Sequence, residues 1–208
     1  MFKLRTIATA AALAAVAVPA QAVITVGTLT GGNQFTRGGT FVLIPGGTVA
    51  LNAFNTDNIY GLNEKQNVVL ASDLVVQIGD SPILAGTGVN SHLIFADPAA
   101  AGTNIASGSI TFRTKIRGVI LLRSNLLASN ATFNNGLTTY GTMQGTEASD
   151  ILSFNGNVLN YSFFNSAATT DMIRVLTAVP EPQTWAMLVA GFGLIGVAAR
   201  RRKSAITA

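Results

Sequence analysis

One histidine, His92, and eight acidic side chains are the groups between residues 23 and 179 that could move protons or hold a metal. His92 could serve a Ser-His-Asp arrangement, with Asp97 or Asp73 orienting it and a serine as nucleophile. No G-x-S-x-G elbow is present, and Ser91 would point to the opposite face of any strand that carries His92. The pattern therefore favours an ordinary strand histidine. The chain has no cysteine, which excludes a disulfide scaffold, a thiolate metal site and a cysteine nucleophile. One histidine without cysteine is also a poor zinc-ligand set.

The acids are Asp57, Glu64, Asp73, Asp80, Asp97, Glu147, Asp150 and Asp171. A glycoside hydrolase needs two of them facing each other about 5–10 Å apart, and nothing in their spacing selects a pair. Most stand beside turn-forming residues, where Asp is expected for its local hydrogen bonds. Turn oxygens of Asp and Asn suit Ca²⁺, so Ca²⁺ is the one cofactor this composition leaves open, without an EF-hand or aspartate repeat to place it. Arg113, Lys115 and Arg117 alternate along one stretch and read as a solvated strand face that deters edge pairing. No tryptophan precedes Trp185, and the tyrosines are Tyr60, Tyr140 and Tyr161, a thin supply for a sugar-stacking platform. The expectation is a noncatalytic domain.

The elements that must position these groups are short apolar runs separated by Gly, Asn, Asp and Ser. Residues 40–44, 48–54, 67–78 (as one strand or as two broken near Ser72-Asp73), 91–96, 109–116, 119–122, 157–164 and 172–178 read as strands, with alternation clearest from Ser109 to Ile116. Asn135-Gly136 and Asn155-Gly156 are turn signals, the second suited to a two-residue hairpin. Ser81-Pro82 and Asp97-Pro98 mark breaks. Helical period is weak; Ile120 to Ala128 fits a short helix or a bend between strands equally well. These features predict a mainly β domain, an antiparallel β-sandwich with a jelly-roll order as one option.

The two ends differ from this domain. The chain is 49% hydrophobic and 11% charged, with a formal charge of +4, yet residues 23–179 hold seven basic and eight acidic side chains. The positive excess lies at the termini, so it speaks of membranes and gives no reason to expect nucleic acid. Residues 1–22 carry Lys3 and Arg5, an apolar run, then Ala20-Gln21-Ala22, the order of a signal peptide cleaved before Val23. Near the other end, residues 184–199 are uncharged and would span about 24 Å as a helix. Trp185 stands at one side, and Arg200, Arg201 and Arg202 at the other mark a cytoplasmic stop. Residues 204–208 form a short cytoplasmic end. Pro180 and Pro182 mark an extended linker before the predicted transmembrane helix. Gly191 to Gly196 spells G-x-G-x-x-G, but no strand precedes it and no acid follows, so a dinucleotide site is excluded.

Pro180-Glu181-Pro182, Trp185-Ala186, the Gly-rich apolar run and the arginine cluster together resemble the PEP-CTERM sorting tail of Gram-negative bacteria, in its PEPxxWA variant, over residues 180–203. The resemblance implies recognition by an exosortase, a membrane-embedded cysteine transpeptidase, and processing near Pro180-Glu181-Pro182. It implies an inner-membrane-anchored precursor, then a place at the cell surface or in the extracellular matrix with exopolysaccharide, biofilm or other matrix proteins. The stretch from Gly88 to Pro98, with Gly118-Val119-Ile120 and Asp171 to Val175, is similar to exported domains found in front of such tails, which supports the β reading and implies no activity. A surface glycan hydrolase using paired carboxylates and a permanently tethered envelope protein are the alternatives.

Overall fold

The computed structural model describes residues 23–99, 102–142, 145–165 and 169–180, all within the compact unit Gln21–Pro180. The predicted signal peptide (1–22), transmembrane helix (184–199), arginine stop and residues 204–208 lie outside the described residues. No helix among those described is long and apolar enough to cross a membrane.

The chain runs β1 (Ile24–Gly31), α1 (Gly32–Thr36), β2 (Phe41–Ile44), β3 (Gly47–Val49), β4 (Ile59–Asn63), β5 (Val68–Val69), β6 (Ile78–Gly79), β7 (Gly88–Ala96), β8 (Asn104–Phe112), β9 (Ile116–Ile120), α2 (Arg123–Phe133), β10 (Thr138–Tyr140), β11 (Ile151–Asn155), β12 (Val158–Asn165) and β13 (Asp171–Ala178). A four-stranded sheet has the order β1-β8-β12-β11, and a larger sheet the order β2-β4-β7-β13-β9-β6 with β5 also on β7. The protein is mainly β, as the alternation implied, but the sheets are not purely antiparallel. β2 runs parallel to β4, and β3 pairs parallel with β10 as a separate ribbon.

Two apolar layers sandwich the large sheet. On one face Ile59, Ile94, Ala96, Val119, Ile173 and Val175 meet Ile24, Leu29, Ile110, Phe112, Leu159 and Phe163 of the four-stranded sheet. On the other face Val89, Ile120 and Leu176 pack against Leu126 and Phe133 of α2 and the buried Leu70, Val76 and Ile83. Beside them Leu62, Leu93, Phe95 and Met172 meet Val49 of the β3 ribbon. Strands β7 and β13 are thus buried on both faces for nearly their whole length, and Asn90, Ser91, His92, Asp171, Arg174 and Thr177 are buried polar residues set among their apolar ones.

The hairpin at Asn155 forms as its sequence implies. Asn155 pairs with Val158, and Gly156 takes φ 62°, a left-handed turn conformation that glycine adopts without steric cost. Three expectations are corrected. Residues 67–78 form neither one long strand nor two strands meeting near Ser72-Asp73; Val68–Val69 and Ile78–Gly79 pair as short strands, Leu74 makes a single bridge to Ile83, and the buried Leu70 and Val76 pack with α2 from an irregular segment. Residues 50–54 turn after β3 instead of extending it. The alternating stretch from Ser109 to Ile116 breaks after Phe112, where the chain leaves the four-stranded sheet and enters the large one as β9. Arg113, Lys115 and Arg117 are exposed across that crossover and do not share one strand.

Candidate functional site

A groove of about 700 Å³ runs beside the exit of β4. One wall is aliphatic, built from Leu43, Ile44 and Pro45 after β2 together with Leu137; Leu43 and Leu137 are exposed there. The other wall is the polar segment leaving β4, Asn63 to Asn67, facing Asn134 and Asn135 at the end of α2. Backbone bonds fix this segment. Glu64 N–H donates to Ser91 O at 2.9 Å and Lys65 N–H to Phe133 O at 2.9 Å, tying the strand exit to the last turn of α2. Asn67, at φ 55°, bends the chain outward while its N–H donates to Asn90 Oδ1.

Several of the amides are committed to the fold. Asn63 Oδ1 accepts from the Ile24 N–H at 3.1 Å, Asn134 Oδ1 from the Gly136 N–H at 2.7 Å, and Asn135 Nδ2 donates to Asn63 O at 3.1 Å. Gln66 Nε2 donates to Glu64 O and Ser91 O, while its Oε1 has no hydrogen-bond partner. Lys65 and Asn67 are exposed along the groove. The surface thus combines an aliphatic strip with amide and ammonium groups that can meet hydroxyls.

Beneath the groove lies a buried ionic network. Glu64 and Arg174 are a fully buried pair, with Nε to Oε2 at 2.7 Å and Nη2 to Oε1 at 2.8 Å. Ser91 Oγ donates to Glu64 Oε2 and the Tyr140 hydroxyl to Oε1, each at 2.5 Å. Arg174 also donates to Leu126 O, Ser129 Oγ and Asn130 Oδ1 of α2, and its guanidinium lies 5.4 Å from the Phe133 ring centre and 5.6 Å from that of Tyr140. Burial works against the arginine's charge, but the Glu64 carboxylate outweighs it and holds the guanidinium above its ordinary pKa. The same carboxylate, added to burial, raises the Tyr140 phenol. Each strong donor and acceptor here is matched, so the network clamps α2 onto the sheet.

The opposite face of the sheet holds His92. Its Nδ1 lies 2.8 Å from Asn63 Oδ1 and its Nε2 3.1 Å from Thr177 Oγ1. Because Asn63 Oδ1 already accepts from a backbone N–H, it is an acceptor, so Nδ1 carries the proton and Nε2 accepts from the threonine. The ring packs on Phe112, and burial lowers its pKa to about 3. Ser91 and His92 do point to opposite faces. Asp97 and Asp73, the orienters available from sequence, bind backbone instead: Asp97 accepts from the Asn52, Phe54 and Asn55 N–H groups, and Asp73 from that of Ala85. Asp57 pairs with Arg37 at 2.6 Å, and Asp80 lies 3.9 Å from Arg117.

The remaining acids converge. Asp150 Oδ1 accepts from the Phe164 N–H at 2.6 Å and Oδ2 from that of Glu147 at 2.7 Å. Asp171 opens β13, is 1% exposed, and neither of its oxygens receives a hydrogen bond. The group facing it is the Asp150 carboxyl; burial, then Asp150 and Glu147, push the Asp171 carboxyl up to about 8. This convergence was not legible from spacing, because the three acids come from a loop and a distant strand. Nor is it a glycosidase pair. Carboxyls in mutual contact leave no room for the scissile bond that such a pair must flank, and the adjoining cavity measures only about 130 Å³.

Beyond this geometry, residues 178–203 match the PEP-CTERM protein-sorting motif. The chain carries a PEP-CTERM sorting tail. The matched span includes Pro180, Glu181, Pro182, Trp185, Ala186 and Arg200 to Arg202. PEP-CTERM tails are processed by exosortase, a membrane enzyme, and imply export with membrane-associated sorting. No curated protein and no solved structure matches the chain.

Proposed function

We propose that this PEP-CTERM protein is a noncatalytic component of the cell surface or extracellular matrix whose central domain binds exopolysaccharide through the amide-lined groove. The groove carries the reading. Sugar hydroxyls donate and accept at once, which suits the exposed amide of Asn67 beside the Lys65 ammonium, and the Leu43–Leu137 wall can cover the C–H face of a ring. Without an aromatic platform each contact is weak, and binding gains from repeated engagement along a polymer. The sorting tail delivers the domain to the compartment where such polymers lie.

Intact mass of the protein from matrix and from membranes of its native host tests the destination. A matrix form beginning at Val23 and ending near Pro180-Glu181-Pro182 supports it; full-length chains confined to the inner membrane overturn it and leave a tethered envelope protein. Affinity electrophoresis through gels containing the host's exopolysaccharide tests the groove. Retardation that weakens in Lys65→Ala and Asn67→Ala supports the reading, and unretarded wild type sinks it.

A further inference from the structure

Asp171 is a buried acid that no basic group among the described residues compensates. Its carboxylate is 1% exposed, receives no N–H or hydroxyl donor, and lines a cavity of about 130 Å³ with Glu147 and Thr169. The same cavity is bordered by Gly145 and Thr170, and Thr169 Oγ1 lies 2.7 Å from Glu147 Oε1 and 2.5 Å from Asn165 Oδ1. Behind them Asp150, anchored by two backbone N–H groups, faces Asp171. Two acids, Glu147 and Asp171, therefore line a space whose one basic lining residue among the described residues, Arg123, is exposed and forms no ion pair with an acid among them. Two carboxyls in buried contact need a positive charge between or beside them, and the choice is a proton or a cation.

We propose that this cavity binds a calcium ion, with Asp171 and Glu147 as its carboxylate ligands, the Thr169 hydroxyl and water completing the shell, and Asp150 adding negative charge behind. No three acidic or imidazole side chains among the described residues already converge on one metal-sized point, so the site is one of two carboxylates and neutral oxygens. Hard oxygen donors of mixed type on loop segments suit the irregular coordination of Ca²⁺ better than the octahedron Mg²⁺ demands. A cavity of this size admits the ion with one or more waters. The inference is independent of the groove.

The test uses the full chain in detergent, stripped with EDTA and titrated with CaCl₂ or MgCl₂ by calorimetry and thermal unfolding. Saturable Ca²⁺ heat with a Tm rise of several degrees, a weaker Mg²⁺ response and at least a tenfold loss of Ca²⁺ affinity in Asp171→Asn support the site. Glu147→Gln gives a second reading should Asp171→Asn fail to fold. No heat and no Tm change in the wild type up to 10 mM CaCl₂ overturns the proposal, as does a Ca²⁺ response that survives both substitutions. A variant Asp171→Asn that is simply more stable, in a protein indifferent to Ca²⁺, assigns the contact to a shared proton and overturns it equally.

Discussion

Arg174 and Asp171 lie three residues apart on β13, both buried, and the fold treats them in opposite ways. Arg174 meets an anion, three α2 acceptors and two aromatic faces. Asp171 meets another carboxyl and an open cavity. The contrast separates a charge that serves architecture from an acid faced only by another acid. In a low-dielectric interior, compensation and not burial alone decides whether an ionised group stabilises. Structural clamps are recognised by complete partner sets, candidate ligand sites by incomplete ones.

Breaking the compensated side gives the largest effect. Glu64→Gln or Arg174→Met alone is expected to lose about 3–5 kcal/mol, because each leaves its partner charged and buried. Urea unfolding checks this, and Glu64→Leu combined with Arg174→Met should recover part of the loss. If the single variants match wild type, the network is not the clamp that holds α2.

The uncompensated side should respond with the opposite sign. In EDTA, Asp171→Asn is expected to be more stable than wild type by about 2 kcal/mol near pH 8. The folded pKa of about 8 exceeds the unfolded value of 3.8, so the folded state holds an extra proton between them. Wild-type stability then falls as pH climbs through that window, and the variant's advantage should shrink toward pH 4. Chemical denaturation at several pH values reads the crossover.

His92 supplies a neutral case on the sheet's other face. Its folded pKa of about 3 lies below the usual 6.5, so below pH 6.5 the unfolded chain takes up a proton that the fold refuses. Stability should fall by about 1 kcal/mol per pH unit as pH drops from 6.5 toward 4. His92→Gln should flatten that part of the profile relative to wild type; an unchanged slope would assign acid sensitivity to other groups.

The smallest effect belongs to a compensated but solvated pair. Arg37 is one-third exposed where it bonds Asp57 and Asn104, and water screens the interaction. Arg37→Met should cost under about 1 kcal/mol in urea unfolding. A loss as large as that of the Arg174 variant would collapse the distinction drawn from burial.

Strand content was legible where one face of a strand is wet or a turn residue is unambiguous. β12 and the Asn155 hairpin followed from alternation and from glycine at a left-handed position. β7 and β13 were legible as strands over residues 91–96 and 172–178, although periodicity could not say that both faces are covered. The segment around Leu70 and Val76 misled for a related reason: apolar character reports burial, and an irregular chain lying over α2 buries its side chains as a strand does. α2 itself has no side-chain N-cap and buries only Leu126, Ser129 and Phe133, two of them apolar. It is fixed by Arg174, a residue more than forty positions away, and no local signal encodes that contact.

By itself the sequence determined the sorting tail, the mainly β class and the identity of every acid, because these rest on local order, composition and period. Tertiary structure alone decided which acids are satisfied. Glu64 and Asp171 look alike in sequence, as acids beside turns or strand starts. Long-range pairing brings an arginine to one and a second carboxyl to the other, and electrostatics at a few ångströms makes the first the anchor of a clamp and raises the second's pKa.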